Sequence, residues 1–302
     1  MPAIRLAALG RFATIRQGLP PLRLLPVEPE YIDWQGQHIA TYQSGSGEPI
    51  LLVHSIHAAA SVFEMRRPFL ALQHEYAVHT MDFLGYGCSD RPARQYSAED
   101  FIDQIVLMLD RIGKPTTVIA SSLGAAFAIT AANQRPGLVR KLILICPVGV
   151  RQLANPPGPA TWATYRLLRS PFGETVYRGL TSAAGIRYFL MQQAYARSET
   201  VDDETMAGFL ETTRRPGAYY APICFVSGLL NRNISAGFAN LRCPVLLVWG
   251  RESRTTPPRE ADPFLELNPA ARLAVIDGAG GLTQDECPEE FMALARDFLR
   301  AG

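Results

Sequence analysis

Ser122 is the side chain of this sequence best placed to act as a nucleophile. It stands in Ala120-Ser121-Ser122-Leu123-Gly124, after the apolar run Thr117-Val118-Ile119 and before the small-residue stretch Ala125-Ala126-Phe127-Ala128-Ile129. Strand, sharp turn and helix in that order form a nucleophile elbow. The turn packs strand against helix so closely that small residues are needed two before and two after the nucleophile, and Ala120 and Gly124 meet that demand. A serine hydroxyl of ordinary pKa is a weak nucleophile and needs a base within hydrogen-bond reach, commonly a histidine oriented by a carboxylate. All five histidines (His38, His54, His57, His74 and His79) lie upstream of the motif.

Positioning that serine calls for an α/β scaffold. From about Tyr31 short apolar runs alternate with amphipathic segments, the pattern of a mostly parallel central sheet flanked by helices. Strands are expected at His38 to Tyr42, Ile50 to His54, Tyr76 to Met81, Thr116 to Ala120, Lys141 to Cys146, Val245 to Trp249 and Leu273 to Ile276. Ser97 to Ile112 reads as one of the helices, with Ser97 and Asp100 as a capping box and Phe101, Ile105, Met108, Leu109 and Ile112 on one apolar face. The sheet pattern stops after Cys146 and resumes at Cys243. In between lie the turn-rich Asn155-Pro156-Pro157-Gly158-Pro159 and helical segments carrying Trp162, Tyr165, Tyr177, Tyr188, Phe189, Tyr195, Tyr219, Tyr220 and Phe225. This places a core at 31–146 and 243–302 and an inserted helical cap at 147–242. A subset of the cap aromatics is expected to line a lipophilic pocket over Ser122, and most to hold the cap helices together.

Composition sets outer limits. The 302 residues are 48% hydrophobic and 19% charged, with a formal net charge of +1. No basic stripe points to nucleic acid. Lys114 and Lys141 are the only lysines. The five cysteines (Cys88, Cys146, Cys224, Cys243 and Cys287) are widely spaced and form no Cys-x-x-Cys pair. That argues for reduced thiols in a cytoplasmic setting, not a disulfide framework or zinc site. His54-x-x-His57 is too little for a metal site, and no cofactor is expected. The uncharged run between Lys114 and Arg135 holds too many hydroxyls and amides for a lipid-facing helix, and strand, elbow and helix account for it. Residues 1–30 differ from the rest: Ile4, Ala8, Phe12, Ile15 and Leu19 fall at helical spacing among Arg5, Arg11 and Arg16, with no acidic residue before Glu28. Such a segment fits weak membrane-surface contact or organelle targeting, or a short helix or tail on the domain.

Over about residues 31–302 these motifs resemble the α/β-hydrolase superfamily in its capped, single-domain form. Leu51-Leu52-Val53-His54-Ser55 is similar to the family strand whose following loop supplies an oxyanion-hole amide, which would be Ile56. Asp82-Phe83-Leu84-Gly85-Tyr86-Gly87-Cys88-Ser89-Asp90 is similar to its Asp-x-Pro-Gly-x-Gly-x-Ser turn, with Leu84 in the proline place. Val248-Trp249-Gly250 followed by Pro257, and Val275-Ile276-Asp277-Gly278-Ala279-Gly280 followed by Pro288-Glu289-Glu290-Phe291, match its late strands and last helix. The resemblance implies a second oxyanion-hole amide at Leu123. It also puts the triad acid and histidine at two positions that here hold Ser253 and Gly281. The segment Pro147-Val148-Gly149-Val150, after the strand ending at Cys146, offers no carboxylate instead.

The substitute base is then His57, in the loop beside the elbow, or a carboxylate near position 281, of which Asp277 is preferred to Asp285. His54 is expected to be structural, Glu252 a solvated loop charge, and His38, His74 and His79 surface or strand residues. The function expected is binding of a small lipophilic carbonyl or ester ligand at Ser122 under the cap, with hydrolase or lyase catalysis absent or atypical. Two alternatives stand beside it. One is an active serine esterase or thioesterase with His57 or a nearby carboxylate as base; the other is a ligand receptor or interaction protein, as gibberellin-receptor-type relatives of this family illustrate.

Overall fold

A computed structural model describes residues 22–301. The amphipathic stripe from Ile4 to Leu19 lies outside the described residues. Eight strands form one sheet in the order β1-β2-β4-β3-β5-β6-β7-β8, where β1 is Glu30–Trp34, β2 Gln37–Ser44, β3 Pro49–Val53, β4 Ala77–Met81, β5 Thr116–Ser121, β6 Val139–Ile145, β7 Val245–Gly250 and β8 Arg272–Ile276. β2 runs antiparallel to both β1 and β4, and every pairing from β4 through β8 is parallel. The seven expected strands are present with ends within two residues. β1 is an addition to them: its pattern leaves Tyr31 and Asp33 exposed at the sheet edge, so the run lacks the apolar continuity of the inner strands. β3, β5 and β7 are buried at every position, as parallel strands covered on both faces must be.

The helices on the two faces begin with α1 (Arg66–Leu72), α2 (Ala98–Ile112) and α3 (Ser122–Gln134). α2 starts at the expected capping box: Ser97 Oγ accepts the Asp100 N–H at 3.3 Å, and Asp100 Oδ2 accepts the Ser97 N–H at 2.8 Å. It ends on Gly113 at φ 65°. α3 is apolar nearly all round because it lies buried beside the centre of the sheet, not on an outer surface. Between β6 and β7 come α4 (Pro159–Leu168), α5 (Pro171–Leu180), α6 (Ala183–Phe189), a π-helical turn at Leu190–Ala194, α7 (Asp203–Thr213), α8 (Tyr220–Ser227) and α9 (Ser235–Ala239). After β7 follow α10 (Asp262–Leu267), α11 (Thr283–Glu286) and α12 (Pro288–Arg300). The five cysteines are all unpaired thiols. No helix among the described residues is long and apolar enough to cross a membrane.

Candidate active site

β5 hands directly into α3, and Ser122 at the junction sits at φ 52°, a left-handed backbone rarely adopted by a residue with a side chain. Such strain costs of order 1–3 kcal/mol and persists only where surrounding packing enforces it. The packing is visible two residues on. A Cβ on Gly124 would lie 2.2 Å from the carbonyl oxygen of His54, so α3 approaches the end of β3 as no larger residue would permit. The small residue read from the sequence two places after Ser122 has this contact as its cause.

Ser122 opens onto a cavity of about 510 Å³. The core contributes Ser55, Ile56 and His57 after β3, Ser121 and Ser122 at the elbow, Cys146 after β6, Thr255 and Thr256 after β7, and Gly281 and Leu282 after β8. The chain between β6 and β7 contributes Val148, Gln152, Leu153, Phe189, Gln193, Ala194 and Phe225. Among the described residues, then, four loops at the carboxyl ends of parallel strands and the helical insertion meet around one hydroxyl. Of the nine aromatics singled out in the insertion, Phe189 and Phe225 reach the wall. Tyr165, Tyr177 and Tyr195 are buried among the helices, and Tyr188 is exposed.

His57 is on the wall, and both its ring nitrogens are engaged. Nδ1 accepts the Ala59 N–H at 3.1 Å, which leaves the proton on Nε2. Nε2 approaches Glu64 Oε1 to 2.8 Å, off the line of a straight hydrogen bond. Glu64, in a short 3₁₀ turn at Val62–Met65, is fully buried and also accepts the Ser55 N–H at 3.1 Å. Burial alone would raise its pKa, but the adjacent His57 and these hydrogen bonds outweigh it and hold the carboxyl below its ordinary range. Sequence reading missed Glu64, because an acidic residue in an apolar stretch carries no mark of its partner. His54 is structural as expected, with Nδ1 2.6 Å from the Ser55 carbonyl oxygen and Nε2 accepting the Phe83 N–H at 3.1 Å. Burial pushes its pKa down.

Ser253 and Gly281 are neighbours in space. An ideal Cβ on Gly281 would have Ser253 Oγ and Thr255 Oγ1 at 3.7 Å and the Ala194 carbonyl oxygen at 3.8 Å, with nothing nearer. A Cβ there would make only ordinary van der Waals contacts. Cys146 lies close by; burial pushes its thiol up to about 11 against smaller lowering effects from Gly250 and the Ser253 hydroxyl. The carboxylates expected near position 281 are placed otherwise. Asp277, the preferred one, has a side chain 77% exposed and paired with Arg251, so it is a surface charge and not a cavity base. Asp285 is buried, but its Oδ2 is taken by Arg66 Nη1 at 2.7 Å and by the Tyr195 hydroxyl. Glu286 accepts the N–H groups of Gly280, Ala196 and Arg197, tying the loop after β8 to the insertion. Glu252 is exposed, as expected. No cluster of three or more His, Cys, Asp or Glu side chains suited to a metal ion occurs among the described residues.

A family model described as "Alpha/beta hydrolase family" matches residues 50–294. A 2-hydroxymuconate semialdehyde hydrolase of Pseudomonas putida is 27% identical over 274 residues, covering 87% of this chain and 91% of its own. A 2-(acetamidomethylene)succinate hydrolase of Mesorhizobium japonicum is 23% identical over 263 residues, covering 86% and 90%. Among solved structures, a serine hydrolase involved in carbazole degradation superposes with a TM-score of 0.74 at 18% identity, covering 90% of this chain and 98% of its own.

Proposed function

The chain belongs to the alpha/beta hydrolase family, and on that premise we propose that it binds a small lipophilic carbonyl or ester compound at Ser122, beneath residues 147–242 acting as a cap, and turns it over slowly or not at all. The observation that supports this reading is the site itself: Ser122 is held in the strained elbow geometry on the cavity wall, Gly281 lies on the same wall with Ser253 beside it, and the family resemblance would put the triad histidine and acid at those two positions. The carbonyl oxygen would rest against the backbone N–H groups of Leu123 and Ile56, the first with the amino end of α3 behind it, and both would favour developing negative charge. Without a free base the serine keeps its proton, which in serine hydrolases costs several orders of magnitude in rate and leaves, through the oxyanion hole, slow reaction with strongly activated electrophiles.

In this reading His57 is a positioning residue. Glu64 draws together the Ser55 N–H and the His57 ring, and Ala59 N–H fixes the other nitrogen, so the loop carrying the Ile56 amide is clamped from both ends. The same pair supports a second reading, an esterase or thioesterase in which His57, backed by a buried carboxylate, takes the serine proton once the Ala59 bond is released. The relatives named as hydrolases favour it. A fluorophosphonate probe tests the first step: it is expected to label Ser122 and no residue in Ser122→Ala, and absence of labelling in folded protein overturns the proposal. His57→Ala then separates the readings. Loss of both labelling and p-nitrophenyl butyrate turnover favours His57 as base, whereas labelling retained with weakened turnover favours a positioning role.

A further inference from the structure

We infer that the cavity is built to take an uncharged ligand and to reject one carrying a carboxylate; the inference rests on the reading of Ser122 as a carbonyl-binding residue. Among the described residues, the wall carries no arginine, lysine, aspartate or glutamate. Its polar side chains are hydroxyls, the Cys146 thiol, the amides of Gln152 and Gln193 from the insertion, and the His57 imidazole, which is already engaged by Glu64 and Ala59. Ser55 and Ser121 are 3% and 0% exposed, and their hydroxyls have no hydrogen-bond partner within the protein. Neither hydroxyl brings a charge to the cavity.

The charge behind the wall points the same way. Glu64 is fully buried and touches two wall residues, the Ser55 backbone and the His57 ring. His57 Nε2 faces this carboxylate at 2.8 Å and Nδ1 accepts the Ala59 N–H, so neither ring nitrogen is free to meet a second carboxylate. The buried cation nearest in sequence, Arg66, is engaged by Asp285 and Thr205. The amino end of α3 supplies about half a positive charge. That is aimed at the carbonyl oxygen on Ser122 and leaves nothing for a second anionic group. A carboxylate entering this space would shed its water and find no cation free to pair with it, in a medium of low effective dielectric. The relatives' substrates therefore do not transfer to this chain unchanged: a succinate derivative needs a cation that this wall does not offer.

The test is a matched pair of almost identical shape, 5-phenylpentan-2-one and 4-phenylbutyrate, in which a methyl group replaces a carboxylate oxygen. Each competes against fluorophosphonate labelling of Ser122 in the full chain at neutral pH. The ketone is expected to protect at a concentration at least about tenfold lower than the carboxylate. Gln193→Arg, with Gln152→Arg as the second variant should the first melt early, is expected to shift the preference towards the carboxylate by a similar factor, and Glu64→Gln to narrow the original gap. Equal protection by the two compounds, or protection by neither, overturns the inference while a labelled Ser122 still stands. Failure of Ser122 to label at all overturns the function proposed above instead.

Discussion

Introducing Gly281→His and Ser253→Asp together is expected to turn a poor esterase into a measurable one. The structure sets the conditions. Nothing approaches a Cβ at position 281 closer than 3.7 Å, so the first atom of a side chain is accommodated there in ordinary contact, and Ser253 Oγ is one of the two atoms at that distance, so a carboxylate built there starts beside the new side chain. Position 253 is 3% exposed. Ser253→Asp alone thus buries a carboxylate without a partner and should cost roughly 3 kcal/mol of stability while adding no activity. Gly281→His alone should recover part of the rate. The pair should recover about 100-fold to 10,000-fold in kcat, the usual contribution of a positioned general base, equivalent to roughly 3–5 kcal/mol of barrier. The double variant should also regain most of the stability lost in Ser253→Asp, because the two new groups pair, and this appears as coupling in a double-mutant cycle. The assay is p-nitrophenyl butyrate hydrolysis with urea unfolding of all four proteins. A folded double variant whose kcat stays within threefold of the parent would refute the reasoning, since it would mean that positions 253 and 281 do not face Ser122.

Ser122→Gly should remove fluorophosphonate labelling and raise stability by about 1 kcal/mol, because relief of the φ 52° strain exceeds the added entropy of the unfolded glycine; unchanged or lower stability in urea melts would mean that the elbow stores no strain. Gly124→Ala should cost at least about 3 kcal/mol, because the new methyl meets a backbone oxygen at 2.2 Å that cannot swing aside, and a cost below about 1 kcal/mol would contradict the close packing of α3 on β3. Glu64, with a depressed pKa in the folded protein, contributes stability that is present above the ordinary carboxylate pKa and lost as pH falls through its folded value. Glu64→Gln should therefore flatten the acid limb of a stability-versus-pH curve, and identical limbs for parent and variant would show that the carboxylate is not held ionised by its neighbours.

Much of the scaffold was legible because its signals are local. Parallel strands buried on both faces have to be continuous apolar runs, so β3, β5, β6 and β7 declared themselves, while the edge strand β1, half of it facing water, did not. The capping box at Ser97 and Asp100 spans three residues and is as plain in the chain as in the fold. The elbow was legible for a different reason: a steric demand at one point limits residue size two positions to either side, and Ala120 and Gly124 record it.

Tertiary structure alone decided which charges and aromatics reach the serine. Asp277 and Asp285 flank position 281 at similar distances along the chain, yet one faces solvent beside Arg251 and the other is sealed against Arg66, 219 residues away in sequence. Phe189 reaches the cavity while its neighbour Tyr188 points outward. Glu64 became part of the site only when a 3₁₀ turn carried it beneath His57. The physical reason is the same in each case. Backbone propensity and burial pattern depend on nearest neighbours and can be read along the sequence. The ionisation and reach of a side chain depend on whatever the fold brings within a few ångströms, and that is fixed only when distant segments close around it.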